Sequence, residues 1–280
     1  MTSRQKSPQR QKQVRGWLEL AKLAEELAGG DWIFRGESSD SNPLRPGAGR
    51  LSRDPDGRRR GVSHEEERAA LERFKNDALP YLSYRPDRAH DLEWLSIAQH
   101  HGMQTRLLDW TESLLIAAFF AVEKAEEHGT AQIYGINGLP AVEATVDPFS
   151  IEEVSVYRPS HVTQRIAPQW SVFTIHPRPR EDFRRRGRVS IWSIPDWRAC
   201  RQIKLVLDSC GINYASIYPD LTGLARHIYW RYKWGMRQTS LQSGAGRAIR
   251  PPNEAVQSVS NGTRRGKRRA KRRGGGKKDA

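Results

Sequence analysis

The chain has 280 residues and a formal net charge of +15, from 47 Lys/Arg against 32 Asp/Glu. Met1–Arg15 carries five Lys/Arg and no acid, Leu241–Ala280 carries twelve against two, and the residues between carry 30 of each sign. The basicity therefore belongs to the two ends and says nothing of the fold or active face of the neutral centre. Two cysteines, Cys200 and Cys210, exclude a disulfide scaffold, and their place in an apolar-periodic stretch predicts buried thiols in a reducing compartment. The longest apolar run, Leu114–Val122, is nine residues, far short of a membrane span. No secretory leader is visible, so the expectation is a soluble cytoplasmic protein.

Residues 1–13 hold almost nothing to bury and read as a disordered basic arm. Helical periodicity begins near Val14, with Trp17, Leu18, Leu20, Leu23 and Leu27 on one wide face, and Gly29-Gly30 stops it. Trp32-Ile33-Phe34 reads as a short strand that delivers Arg35 to its end, and Gly36 permits a turn. A Ser/Pro/Gly/Arg-rich loop follows to Gly61. Ser63 with Glu66 is a capping-box pattern that opens a helix to about Leu79. A second helix runs from about Asp91 to His101, with Gly102 as its C′ residue. Thr105–Trp110 reads as extended, and Thr111 is the expected N-cap of the next helix. That helix is apolar on every side from Leu114 to Val122, which places it at the centre of a domain.

The second half is richer in strands, at Ala131–Ile136, Ile151–Tyr157, Ser171–His176 and Val189–Ile194. Asp196–Cys210 is an amphipathic helix ended by Gly211, and Asp220 caps a last helix to about Trp234. Helices and strands mix without strict alternation, so the fold class is α+β: one mixed globular domain over 14–235 around a buried helix. From 236 to 280 the composition is that of a disordered Lys/Arg-rich tail.

The stretch Gln99-His100-His101-Gly102-Met103-Gln104-Thr105-Arg106-Leu107-Leu108-Asp109-Trp110-Thr111 precedes the apolar helix, and Phe34-Arg35-Gly36 lies upstream of both. Arg165–Gln169, Gly211-Ile212 and Tyr218–Leu224 follow in order. Together they resemble the FRG domain family, named for its Phe/Tyr-Arg-Gly element, over about Trp32 to Ile228. Trp170 departs from the pattern, which commonly has glycine there. The resemblance implies a domain and no particular reaction.

Two readings of the central residues follow. If Thr105–Asp109 is a strand, Thr105, Leu107 and Asp109 share one face while Arg106 and Leu108 share the other. Asp109 beside a buried helix then needs a partner, and a structural bridge to Arg35 supplies one. Alternatively Arg35, Thr105 and Arg106 surround a nucleotide-like anion, with Gly36, Asp109 and Gln169 as further ligand-binding candidates. An arginine closing a first strand, then a threonine-bearing strand and a buried aromatic helix, is similar to ADP-ribosyltransferases of the arginine-first type. That similarity implies NAD as co-substrate and Arg35 on its phosphates. No Gln/Glu-x-Glu element stands between Ala131 and Arg180, so the catalytic acid is unassigned, with Glu152 and Glu153 the acids nearest a suitable strand.

Adjacent His100 and His101 diverge by about 100° on a helix and match no metal-site spacing. Phosphate-loop, dinucleotide-loop and serine-elbow motifs are absent, which disfavours NTPase, dehydrogenase and hydrolase chemistry. The alternative function is a non-enzymatic module that contacts nucleic acid or another polyanion through its tail. Arg264, Arg265, Lys267, Arg268, Arg269, Lys271, Arg272 and Arg273 put eight cations in ten residues, enough for steep, sequence-independent phosphate binding. Arg178, Arg180, Arg184-Arg185-Arg186 and Arg188 form a second basic loop.

Overall fold

The computed structural model describes residues 12–39, 43–53, 56–57, 59–82, 84–124, 129–159, 166–186 and 189–234. Among them, eight strands form one sheet, all but the polar first one carrying alternating or continuous apolar sequence. They are β1 (Lys12–Gln13), β2 (Trp32–Glu37), β5 (Leu107–Thr111), β6 (Ala131–Asn137), β7 (Ala141–Val142), β8 (Ser155–Tyr157), β9 (Ser171–Ile175) and β10 (Ser190–Ile194). Their order is β1-β10-β6-β2-β5-β9-β8-β7. The two outermost pairs are parallel and the rest antiparallel. β3 (Ser52–Arg53) and β4 (Arg59–Arg60) make a separate small ribbon after β2. Eight helices accompany the strands in the described residues: α1 (Trp17–Leu27), α2 (His64–Asp77), α3 (Asp91–His100), α4 (Leu114–Val122), α5 (Ile166–Gln169), α6 (Trp197–Ser209), α7 (Tyr214–Ile217) and α8 (Leu221–Lys233). The architecture is α+β, and no helix among the described residues is long and apolar enough to cross a membrane.

The helix termini form where the capping chemistry stands. Ser63 accepts from the Glu66 amide and Glu66 accepts from the Ser63 amide, closing the capping box of α2. Asp220 accepts from the Gly223 amide at 2.8 Å and opens α8. Gly102 and Gly211 take φ of 96° and 82° just past α3 and α6, a conformation glycine adopts without penalty.

Four local expectations are corrected. Arg35 does not close its strand and Gly36 makes no turn: β2 runs on to Glu37, with Arg35 opposite Tyr134 and Gly36 opposite Ile133. Lys12 and Gln13, expected in the arm, pair with Trp192 and Ser193 as a strand. Thr111 does not cap α4: it pairs with Phe34 and Ser171 at the end of β5, and Ser113 takes the cap, accepting from the Ile116 amide. Both thiols are free, but only Cys200 is buried, where desolvation pushes it up to about 12; Cys210 closes α6 at the surface.

Register assigns the faces. Phe34, Ile133 and Ala131 turn to one side and pack with α1, α4, α6 and α7. Leu107, Phe173 and Ile175 turn to that same side farther along the sheet and pack with α2 and α3. Ile33, Leu108, Trp110, Tyr134 and Val172 form a core on the opposite side, closed by Leu44, Phe183 and Val189. Gly36 explains how α4 lies so close to β2. A Cβ there would stand 1.9 Å from the Ala117 carbonyl oxygen and 2.4 Å from the Ala121 amide nitrogen. The small Ala117, Ala118 and Ala121 side chains complete that contact, and all three are buried.

Candidate functional site

One junction of the sheet is left incomplete. β2 pairs with β6 over six positions but meets β5 at a single one, Phe34 opposite Thr111. Beyond that point the two strands diverge. Arg35 alternates away from Phe34, and its guanidinium enters the gap: Nη1 donates to the Asp109 carbonyl at 2.7 Å and stands 3.7 Å from its carboxylate. Nε and Nη2 both donate to Glu37, at 2.9 and 2.6 Å. The arginine thus bridges strands where ladder bonds would otherwise run.

Above the gap, between the α3 and α4 helix groups, lies an open cleft of about 290 Å³. Arg35, Gly36, Asp109 and Gln169, all expected at a ligand site, line it. So do Gln99 and His100 from α3, and the rings of Phe120 and Tyr218, which meet edge to face at 6.4 Å. Burial and the Glu123 carboxylate raise the Tyr218 phenol above its usual range. A relay of side chains crosses the floor. The Thr105 hydroxyl donates to Gln99 at 2.5 Å, and the Gln99 amide donates to Asp109 at 2.9 Å. Gln169 fastens the far wall, donating to the Ile217 carbonyl at 3.2 Å while its own carbonyl accepts from Thr111.

Other expectations fall away from this cleft. Arg106 is 2 % exposed and pairs with the equally buried Glu67 at 2.9 Å, so it does not line the cleft. Its amide and Nε also donate to Glu67, its Nη1 to the Pro148 carbonyl, and its plane covers Phe149 at 4.1 Å. Thr105 is fully buried and reaches the cleft only through Gln99. Both residues precede β5, which starts at Leu107, so the face assignment for Thr105 and Arg106 does not apply. Asp109 is not a buried carboxylate: its side chain is 61 % exposed. Glu152 and Glu153 are exposed in a bend before β8 and do not line the cleft.

Among the described residues no group of three His, Cys, Asp or Glu is placed to hold a metal. In the basic loop, Arg184 pairs with Asp182 at 2.8 Å, Arg178 stands 3.7 Å from Glu181, and Arg180 donates to the Gly61 carbonyl. Arg188, Arg165 and the tail cations Arg264–Arg273 lie outside the described residues. Gln99 and His100 from α3, Phe120 from α4 and Tyr218 after α7 gained no ligand role from sequence, because only the fold brings these three regions together.

Nothing among curated proteins or solved structures matches the chain significantly. A family model matches residues 30–130, which span β2 through α4 and include Arg35, Gly36, Gln99 and Asp109; Gln169 and Tyr218 lie beyond the match. That model is the FRG domain, and the chain carries an FRG domain over this stretch.

Proposed function

We propose that the cleft between β2 and β5 binds a nucleotide-like ligand, with NAD as the most concrete candidate. The observation that carries this reading is the guanidinium in the strand gap. Its contacts to Glu37 and Asp109 use three of five N–H donors, leaving two for oxygens of a ligand without breaking the pairs already made. The Phe120 and Tyr218 rings supply a wall for a flat base or nicotinamide. Gln99 and Asp109 suit ribose hydroxyls. One guanidinium faces two carboxylates here, which favours a phosphodiester, with one charge per phosphate, over a terminal dianion. The volume suits one nucleotide half of such a molecule. In a transfer reaction Asp109, not Glu152 or Glu153, is the exposed acid at hand.

The test is NAD binding and turnover by the full chain, with ADP and ATP as comparison ligands. Arg35→Ala and Asp109→Asn, each confirmed folded by circular dichroism, should weaken NAD binding at least tenfold. Failure of NAD, ADP and ATP alike to bind would overturn the reading.

A second reading rests on the tail composition alone: Arg264–Arg273 contacting nucleic acid or another polyanion. Its mark is an affinity that falls steeply with salt and disappears when residues after Ser240 are removed. NAD binding in the cleft should survive that deletion.

A further inference from the structure

A second cavity, of about 300 Å³, opens between α6 and α8 beside the end of α4. Three tryptophans, Trp197, Trp230 and Trp234, line it together with three cations, Arg201, Lys204 and Lys233. No carboxylate-bearing residue is in its lining. This composition is unusual for a surface cavity in a domain whose centre balances 30 basic against 30 acidic residues.

The cations and the rings are arranged together. The Arg201 guanidinium lies 5.0 Å from the centre of the Trp234 ring and Lys204 Nζ lies 5.2 Å from that of Trp230. Lys204 is buried and fixed, donating to the Glu123 carbonyl at 3.0 Å and the Tyr214 hydroxyl at 3.3 Å. Its positive charge therefore stays at the cavity wall. Arg201 and Lys233 are exposed at the surface. Flat indole walls select a planar apolar body, and with the Glu123 carboxylate set against Lys204 the exposed Arg201 and Lys233 charges favour an anion over a cation. The volume is at the small end for ligand pockets and suits one or two fused rings.

We propose that this cavity is a second ligand site, separate from the β2–β5 cleft, that takes a small planar organic acid. The ring stacks among the tryptophans and the carboxylate meets Arg201 and Lys233.

Isothermal titration of the full chain tests this with benzoate, indole-3-acetate and naphthalene-2-carboxylate, and with tryptamine as the amine that carries the same ring as indole-3-acetate. At least one acid should bind saturably at one site, and tryptamine at least tenfold more weakly than indole-3-acetate. The Arg201→Gln/Lys233→Gln double variant changes only exposed groups and should weaken the acid at least tenfold. Trp234→Leu should weaken it further, while Arg35→Ala leaves it unchanged. Absence of saturable binding by all three acids overturns the proposal. So does equal binding of tryptamine, or an affinity indifferent to the double variant in protein that circular dichroism shows to be folded. Loss of acid binding on Arg35→Ala would move the site to the cleft and overturn it as well.

Discussion

Arg35 and Arg106 belong to the two motifs that mark this domain, and the protein uses them in opposite ways. Arg106 is dry, bonded to Glu67 and a backbone carbonyl, and roofed by Phe149. Arg35 lines the base of an open cleft, with two donors unused by Glu37 and Asp109 and an exposed carboxylate beside it. One guanidinium is sealed from solvent by the fold and the other is held in place beside an open cleft. The difference separates the motif arginine that anchors the domain from the one that, on the proposed function, meets a ligand.

The largest expected effect lies on the anchoring side. Arg106→Ala strands the Glu67 carboxylate in the core and should cost about 3–5 kcal/mol in urea unfolding. Replacing both partners, Arg106→Met with Glu67→Leu, removes the unpaired charge and should recover most of that loss. A loss below about 1 kcal/mol for Arg106→Ala would break the contrast, because it would mean that Glu67 is not dependent on Arg106.

Next comes the glycine that follows Arg35. Gly36→Ala drives a methyl into the backbone of α4 at Ala117 and Ala121, where no flexible side chain can yield. The expected loss is about 3 kcal/mol, the upper end of overpacking costs. Arg35→Ala is milder. The Arg35–Glu37 pair is part-buried, 15 and 18 % exposed, so the expected loss is about 2 kcal/mol, between that of an exposed and a buried pair, with the main consequence in ligand binding. A loss as large as that of Arg106→Ala would make Arg35 a second anchor and remove the contrast.

How much of this was legible follows from the range of each interaction. The capping box at Ser63 and Glu66, the cap at Asp220 and the glycines ending α3 and α6 act over three or four residues, so local sequence spells them out. The all-round apolar α4 announces its burial by composition. The Arg106–Glu67 pair joins residues 39 apart, and no local pattern names that partner. Thr111 and Ser113 are both caps by residue type; pairing with Phe34 and Ser171 keeps Thr111 in the sheet and leaves the cap to Ser113. The exposure of Asp109 was hidden for a related reason. Its neighbours in β5 are buried, and only the divergence of β2 from β5 opens its own position to water.

The smallest effect concerns the rim of the cleft. Trp170 lies between Gln169 and Ser171, both cleft residues, and takes φ of 47°. It is the single non-glycine residue at positive φ among those described. That conformation costs an L-residue about 1–2 kcal/mol, while glycine adds about 0.5–1 kcal/mol of unfolded-chain entropy. Since the indole is 61 % exposed and loses little packing when removed, Trp170→Gly should gain roughly 0.5 kcal/mol. Trp170→Ala retains the backbone penalty and should be about 1 kcal/mol less stable than the glycine variant in the same thermal melt. Equal stability of the two would show that the backbone relaxes when the indole is gone, so that the side chain itself imposes the left-handed turn. If both variants also bind NAD as the parent does, ligand recognition belongs to the strand gap around Arg35 and not to the rim.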